Sequence, residues 1–199
     1  MIIHIVDDED AILDAMRFLL APLQTEICTW RSSRDFIQQA DLYRQGVVLL
    51  DMRMPLLDGH QVHQLLREKQ SVLAVVIMTA HGDIPMAVQE LKLGALDFLA
   101  KPVAFESLQR VISQGREFSR KQLEIHRTRR NYQKLTEKEK RLLEHILQGT
   151  PNKLIADKLA VSVRTVEVHR ANIMEKMQAE SLAALVSAIT LLKEYDRAD

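Results

Sequence analysis

The stretch that decides the fold is "VVLLDMRMP", residues 47–55. Four apolar residues run into a carboxylate, Asp51, and a proline follows at Pro55. A Val/Leu run without polar alternation is the pattern of a strand buried on both faces, as in a parallel sheet. Four other short runs lie around it: "IIHIV" (2–6), "TEICTW" (25–30), "VLAVVIM" (72–78) and "ALDFLA" (95–100). The segments between them carry apolar residues at helical spacing, at Ile12, Ala15, Met16 and Leu19 in one and at Val62, Leu65 and Leu66 in another. "IPMAVQELKLG" offers Asp83 as an N-cap, Pro85 in the first turn and Gly94 at the C-terminus. Five strands alternating with five helices predict a doubly wound α/β domain.

Ligands of such sheets bind at the carboxyl ends of the strands. There the sequence puts Asp7 and Asp8 after the first strand, Asp51 after the third, Thr79 after the fourth, and Lys101 with Pro102 after the fifth. With strand order 2-1-3-4-5, the first and third strands are neighbours and three carboxylates are expected to converge. Buried like charges repel, and a hard divalent cation such as Mg²⁺, which takes oxygen ligands, relieves this. A carboxylate beside that cation can attack a phosphoryl group and hold it as an acyl phosphate. Lys101 and the Thr79 hydroxyl would neutralise the phosphoryl oxygens. Phosphatases of the haloacid dehalogenase type use a similar nucleophile but carry a second Asp two residues later; here that position is Arg53. A side-chain base is therefore missing, which favours a long-lived phospho-aspartate, a switch rather than an enzyme.

The zero net charge hides a split. Residues 1–118 carry 11 Lys and Arg against 16 Asp and Glu, and residues 119–199 carry 16 against 11. The basic half suits a polyanionic partner. From about Ala104 to Tyr132 a helical pattern runs through Leu108, Val111, Gly115, Phe118, Gln122, Ile125, Arg129 and Tyr132. It reads as the last helix of the first domain running into a basic linker; a short coiled coil is the alternative. Beyond Leu135 only helices are expected. Thr136 and Glu139 form a capping box and Gly149 stops the first helix. "NKLIADKLA", "SVRTVEVHRANIMEKM" and "SLAALVSAITLLKEY" follow, and the second and third of these four helices outline a helix-turn-helix. The expected boundaries are 1–118 for the α/β domain, 119–134 for the linker and 135–199 for the all-α four-helix domain.

On a wheel of ~100° per residue, Val163, Val166, Ile173 and Met177 share one face, expected to be core. Arg164, Val168, Ala171 and Glu175 lie opposite, flanked by Glu167 and Asn172. From such a face Val168 or Ala171 can meet a thymine methyl, Glu167 a cytosine, and Arg164 a guanine or a phosphate. Lys153, Thr165, His169 and Lys176 are assigned to phosphates, which fix register. Arg170 falls on the apolar stripe and is expected to pair with Glu137 or Glu139, with a phosphate contact as the alternative.

"VDDED", "LLDMRMPLLDG", "VIMTAHGD" and "FLAKP" resemble a response-regulator receiver domain, which has a flavodoxin-like, CheY-like fold. Residues from "LTEKEKRLLEHIL" through "SLAALV" resemble a LuxR-type DNA-binding domain. Together nearly the whole chain is similar to FixJ/NarL-family response regulators. The resemblance implies that Asp51 is phosphorylated by a sensor histidine kinase, and that Asp7 or Asp8, Asp51 and the Arg53 main-chain carbonyl bind Mg²⁺, with Asp8 as the direct ligand. Thr79 and Lys101 would grip the phosphoryl group, and Phe98 would hold the aromatic switch position without a hydroxyl. The Lys101–Pro102 bond is expected to be cis. The family's homodimer forms on phosphorylation through about residues 84–99, binds promoter double-stranded DNA and engages RNA polymerase, commonly as an activator. A phosphatase with a helical accessory domain and an RNA-binding output are the rival readings.

No run reaches the ~18 apolar residues of a membrane span. The N-terminus lacks the basic start of a signal peptide, and the single cysteine, Cys28, excludes an internal disulfide. A cytoplasmic location is expected.

Overall fold

A computed structural model of the chain describes residues 1–80 and 84–198. The five apolar runs become β1 (Ile2–Val6), β2 (Glu26–Trp30), β3 (Gly46–Asp51), β4 (Ala74–Thr79) and β5 (Asp97–Ala100). All pairings are parallel, in the order β2-β1-β3-β4-β5. Helices α1 (Asp10–Leu20), α2 (Ser33–Gln39), α3 (Gly59–Glu68) and α4 (Ile84–Lys92) connect the strands, and α5 (Phe105–Gln133) follows β5.

Successive residues of a strand point to opposite faces, and the two cores sort accordingly. Ile3, Ile5, Val47, Leu49, Val76 and Met78 pack with Leu13, Met16 and Leu20 of α1 and Leu108, Val111 and Ile112 of α5. Val6, Val48, Leu50, Val75 and Ile77 pack with Phe36 of α2, Val62 and Leu66 of α3 and Ala87 of α4. Two details of the expected stripes change. Ala15 is exposed, and α1 buries Leu13, Met16 and Leu20 instead. In α3 the buried set is Val62, His63 and Leu66, with Leu65 only half-buried. The expected cap at Asp83 lies outside the described residues, whereas Gly94 does end α4 with φ +102°.

Gly115, which interrupts the apolar pattern of α5, has a packing reason. A Cβ there would lie 2.6 Å from Val47 Cγ2 and 3.3 Å from Ala74 Cβ. The helix approaches the sheet where only a hydrogen fits. Two compact units, Met1–Leu123 and Glu124–Asp199, divide the chain inside α5, within the stretch read as a linker.

The second unit adds α6 (Glu137–Leu147), α7 (Asn152–Leu159), α8 (Val163–Met177) and α9 (Leu182–Ala198). Thr136 and Glu139 form the expected capping box, and Gly149 follows α6 with φ +72°. The core holds Leu135, Leu142, Leu143, Ile146, Ile155, Val166, Ile173, Met177, Leu185 and Ile189. The end of α5 belongs to this unit: Tyr132 packs on its core, Ile125, Thr128 and Asn131 are buried, and Arg129 pairs with Asp196. Val163, expected in the core, is 41% exposed. It is the first residue of α8, one turn ahead of Val166, where burial begins. Among the described residues no helix is long and apolar enough to cross a membrane.

Candidate functional site

At the carboxyl end of the sheet, β1 delivers Asp7, β3 delivers Asp51, β4 delivers Thr79, and the turn after β5 delivers Lys101. The Lys101–Pro102 bond is cis. The Lys101 ammonium donates to Asp7 Oδ2 at 2.6 Å and to Asp51 Oδ1 at 2.5 Å. The second oxygen of Asp51 accepts from the Arg53 amide at 2.7 Å. Asp7 is fully buried and Asp51 nearly so. Burial pushes the Asp51 carboxyl above its ordinary range, against the pull of Lys101 and the Arg53 N–H. Burial works to lower the Lys101 value, but its bonds to Asp51 and Asp7 outweigh this and raise it.

The backbone around Asp51 is tightly enclosed. The Gly59 N–H donates to the Met52 carbonyl, and a Cβ on Gly59 would stand 2.5 Å from the Asp51 carbonyl oxygen. A capping box between Asp58 and Gln61 starts α3 at that point. Thr79 is buried, and its hydroxyl donates to the Ala80 carbonyl at 3.2 Å. Phe98 is half-buried and packs on the core beneath α3 and α4.

The expected convergence of three carboxylates is not what the structure shows. Asp7 and Asp51 meet on Lys101, while Asp8, one residue beyond, is half-buried. The Lys101 ammonium takes the ground between the other two. Among the described residues no three His, Cys, Asp or Glu side chains group as metal ligands. The fit to a hard cation therefore rests on donor type: Asp7 and Asp51 offer oxygen donors to one point, and a hard cation requires oxygen.

One buried cluster escaped the sequence reading. Glu90 of α4 accepts from or shares a proton with His63 Nδ1 at 2.5 Å and His60 Nδ1 at 2.7 Å, both on α3. Glu90 and His63 are both 2% exposed. Burial lowers the His63 value, opposed by Glu90. A buried carboxylate needs such partners, but nothing local in the sequence links positions 60, 63 and 90.

In the second unit, α7 and α8 are joined by residues 160–162, with Ala160 left-handed at φ +53°. The Ser162 hydroxyl caps α8 by accepting from the Thr165 N–H at 3.0 Å. Arg164, Glu167, Val168 and Ala171 lie on its exposed side, and Arg164 pairs with Glu167 at 3.6 Å. Lys153 is exposed on α7; Thr165 and His169 are half-buried, and the His169 Nδ1 is enclosed without a partner. Lys176 is committed elsewhere. Its ammonium donates to both oxygens of the buried Glu139, at 2.8 and 2.7 Å. The Glu139 carboxylate also accepts from the Thr136 N–H and hydroxyl. Burial alone would raise the Glu139 value; Lys176 and Thr136 hold it below the ordinary range. The expected pairing of Arg170 with Glu137 or Glu139 is thus corrected: Glu139 takes Lys176, and Glu137 takes Lys140. A buried carboxylate selects the cation whose stem reaches it, and Lys176, in the last turn of α8, also suits the helix dipole there.

Residues 3–113 match the response regulator receiver domain, and residues 133–189 match the bacterial regulatory proteins of the luxR family. The chain belongs to the FixJ/NarL-type response regulators. It is 48% identical over 184 residues to the tetrathionate response regulatory protein TtrR of Salmonella typhimurium, covering 92% of this chain and 89% of that protein. It is 36% identical to the transcriptional regulatory protein FixJ of Bradyrhizobium diazoefficiens, over 92% of each. The solved structure of the response regulator StyR superimposes with a TM-score of 0.71 at 33% identity, over 95% of this chain and 98% of that one. Full-length FixJ from B. japonicum gives 0.55 at 32% identity, over 97% of each. As a two-component response regulator with a LuxR-type output domain, the protein controls transcription.

Proposed function

We propose that Asp51 is the phosphoacceptor and that its phosphorylation by a sensor histidine kinase drives dimerisation and promoter binding. The observation that carries this reading is the Lys101 ammonium held between Asp7 and Asp51 at the carboxyl edge of the sheet. An Asp51 oxygen attacks the phosphorus of a phosphohistidine, the N–P bond breaks, and an acyl phosphate forms while the imidazole takes up a proton. Burial makes Asp51 more basic and so a better nucleophile. Lys101 turns from the two carboxylates to the phosphoryl oxygens. The Thr79 hydroxyl leaves the Ala80 carbonyl to donate to the same group, and Phe98 follows it inward. Asp51, the Arg53 main-chain carbonyl and Asp7 or Asp8, with Asp8 as the direct ligand, would hold Mg²⁺, which would supply charge neutralisation on the transferring group. The Arg53 side chain offers no base, so the acyl phosphate persists long enough to signal.

The dimer forms through residues 84–99. Met86, Val88 and Leu93 of that stretch are large apolar side chains at 41, 40 and 36% exposure, and an apolar surface of this kind fits a partner. On DNA, Arg164, Glu167, Val168 and Ala171 face base edges, and Lys153, Thr165 and His169 hold phosphates. The bound regulator engages RNA polymerase and activates transcription. The 48% identity to TtrR supports genes of tetrathionate respiration as its targets. Sizing and duplex binding, with and without beryllofluoride and Mg²⁺, test this reading. A dimer with tighter DNA binding is expected on addition; a monomer whose affinity does not change contradicts it.

A further inference from the structure

The positive charge of the C-terminal half does not sit on the module that reads DNA. Residues 135–199, with all of α6 to α9, carry ten Lys and Arg against ten Asp and Glu. Residues 119–134 carry six against one. The whole excess therefore lies in the last turns of α5 and the residue that follows it, Lys134. Two of the six are neutralised nearby, Arg120 by Glu117 and Arg129 by Asp196. Arg127, Arg130 and Lys134 are exposed, and among the described residues none of them joins an ion pair. Lys134 donates only to the neutral Asn131 side chain, at 2.8 Å. At ~100° per residue Arg127 and Arg130 lie about 60° apart on α5, and Lys134 follows directly after its last residue, Gln133.

The cluster is mounted rigidly. Thr128 and Asn131, on the neighbouring face of the helix, are buried. Arg129 lies over the Tyr195 ring, 5.5 Å from its centroid. Lys140 lies over the Tyr132 ring, at 5.6 Å. All of these residues belong to the unit that carries α8. Three cations fixed in this way differ from a solvated flexible tail, because their order is established before any partner arrives.

We infer that Arg127, Arg130 and Lys134 form a contact surface for the phosphate backbone of duplex DNA, supplying electrostatic attraction that residues 135–199, neutral overall, lack. This rests on the DNA-binding reading above and adds a site outside α7 and α8. Phosphate contacts release counterions and carry no sequence information, so the cluster contributes equally to every duplex. It sets the salt dependence of binding while α8 sets the sequence preference.

The test uses the full chain and a fluorescein-labelled duplex of arbitrary sequence, with anisotropy titrations over a range of salt concentrations. In the triple variant Arg127→Gln, Arg130→Gln, Lys134→Gln, the slope of log K against log salt should shrink by about 0.9 per lost contact, so by roughly 2 to 3 per bound copy. A control variant, Arg141→Gln, Lys193→Gln, Arg197→Gln, removes the same net charge from α6 and α9, away from the helix-turn-helix, and should keep the wild-type slope. Arg127→Lys with Arg130→Lys should also keep it, which separates charge from folding. An unchanged slope in the triple variant overturns the inference, as does an equal loss in the control. Uniformly tighter binding by the triple variant also overturns it. Wild-type protein that binds no duplex at all overturns the DNA reading itself, a result distinct from the others.

Discussion

Burial turns His4 into a side chain that resists protonation. It lies in β1 at 2% exposure, and its Nδ1 accepts from the Trp30 indole N–H at 3.1 Å. The proton of the neutral ring is thereby on Nε2, which is enclosed without a partner. Burial first, then the Arg44 charge, lowers its pKa from 6.5 to about 4. Between those values the unfolded chain binds the extra proton, so stability falls as the pH falls through them. From about pH 7 to about pH 5 this group costs the receiver roughly 2 kcal/mol. Trp30, the chain's one tryptophan, reports the unfolding of this domain by fluorescence. Urea titrations at the two pH values should show the loss in wild type and a smaller one in His4→Leu. Equal pH dependence in both proteins would show that His4 is not the group responsible. The positions of Asp7, Asp51, Thr79 and Lys101 at the carboxyl edge of the sheet were legible in the sequence because each ends or directly follows a strand, and strand order then brings the strand ends together. Asp8 was less legible, since its partnership depends on which of two adjacent carboxylates faces inward.

The elements show what periodicity can and cannot carry. In α3 the apolar spacing marked Val62 and Leu66 correctly but hid His63, whose burial depends on Glu90 of a different helix. In α8 the wheel placed Val166, Ile173 and Met177 correctly and Val163 wrongly, because the first turn extends beyond the packing of the others. Lys176 was read as a surface cation because its partner, Glu139, stands 37 positions away. Glu90 is the point where α4 is fastened to α3. Glu90→Ala strands the His63 Nδ1 in the interior and should destabilise the receiver by about 1 to 3 kcal/mol. The urea midpoint followed at Trp30 checks this, together with faster amide exchange along α4. A midpoint equal to wild type would show that α4 is held by its apolar contacts alone.

At the scale of the molecule, two units of different architecture share one helix, and the sequence announced both: apolar strand runs stop at Ala100 and only helical spacing continues. It did not announce that the end of α5 belongs to the second unit. That depends on Ile125, Thr128 and Asn131 being buried, two of which are polar and read as linker. Val88 tests the dimer face, because it is 40% exposed and its replacement leaves the core intact. Val88→Glu should leave phosphorylation unchanged and keep the beryllofluoride-treated protein monomeric in light scattering. A normal dimer from this variant would move the interface away from residues 84–99.

On the proposed function one carboxylate, Asp51, carries the signal. Incubation with acetyl phosphate and Mg²⁺, followed by intact-mass analysis, measures it most directly. Wild type is predicted to gain a single phosphoryl group and Asp51→Asn none. A phosphoryl group retained by Asp51→Asn, or a wild type that takes up none, would contradict it.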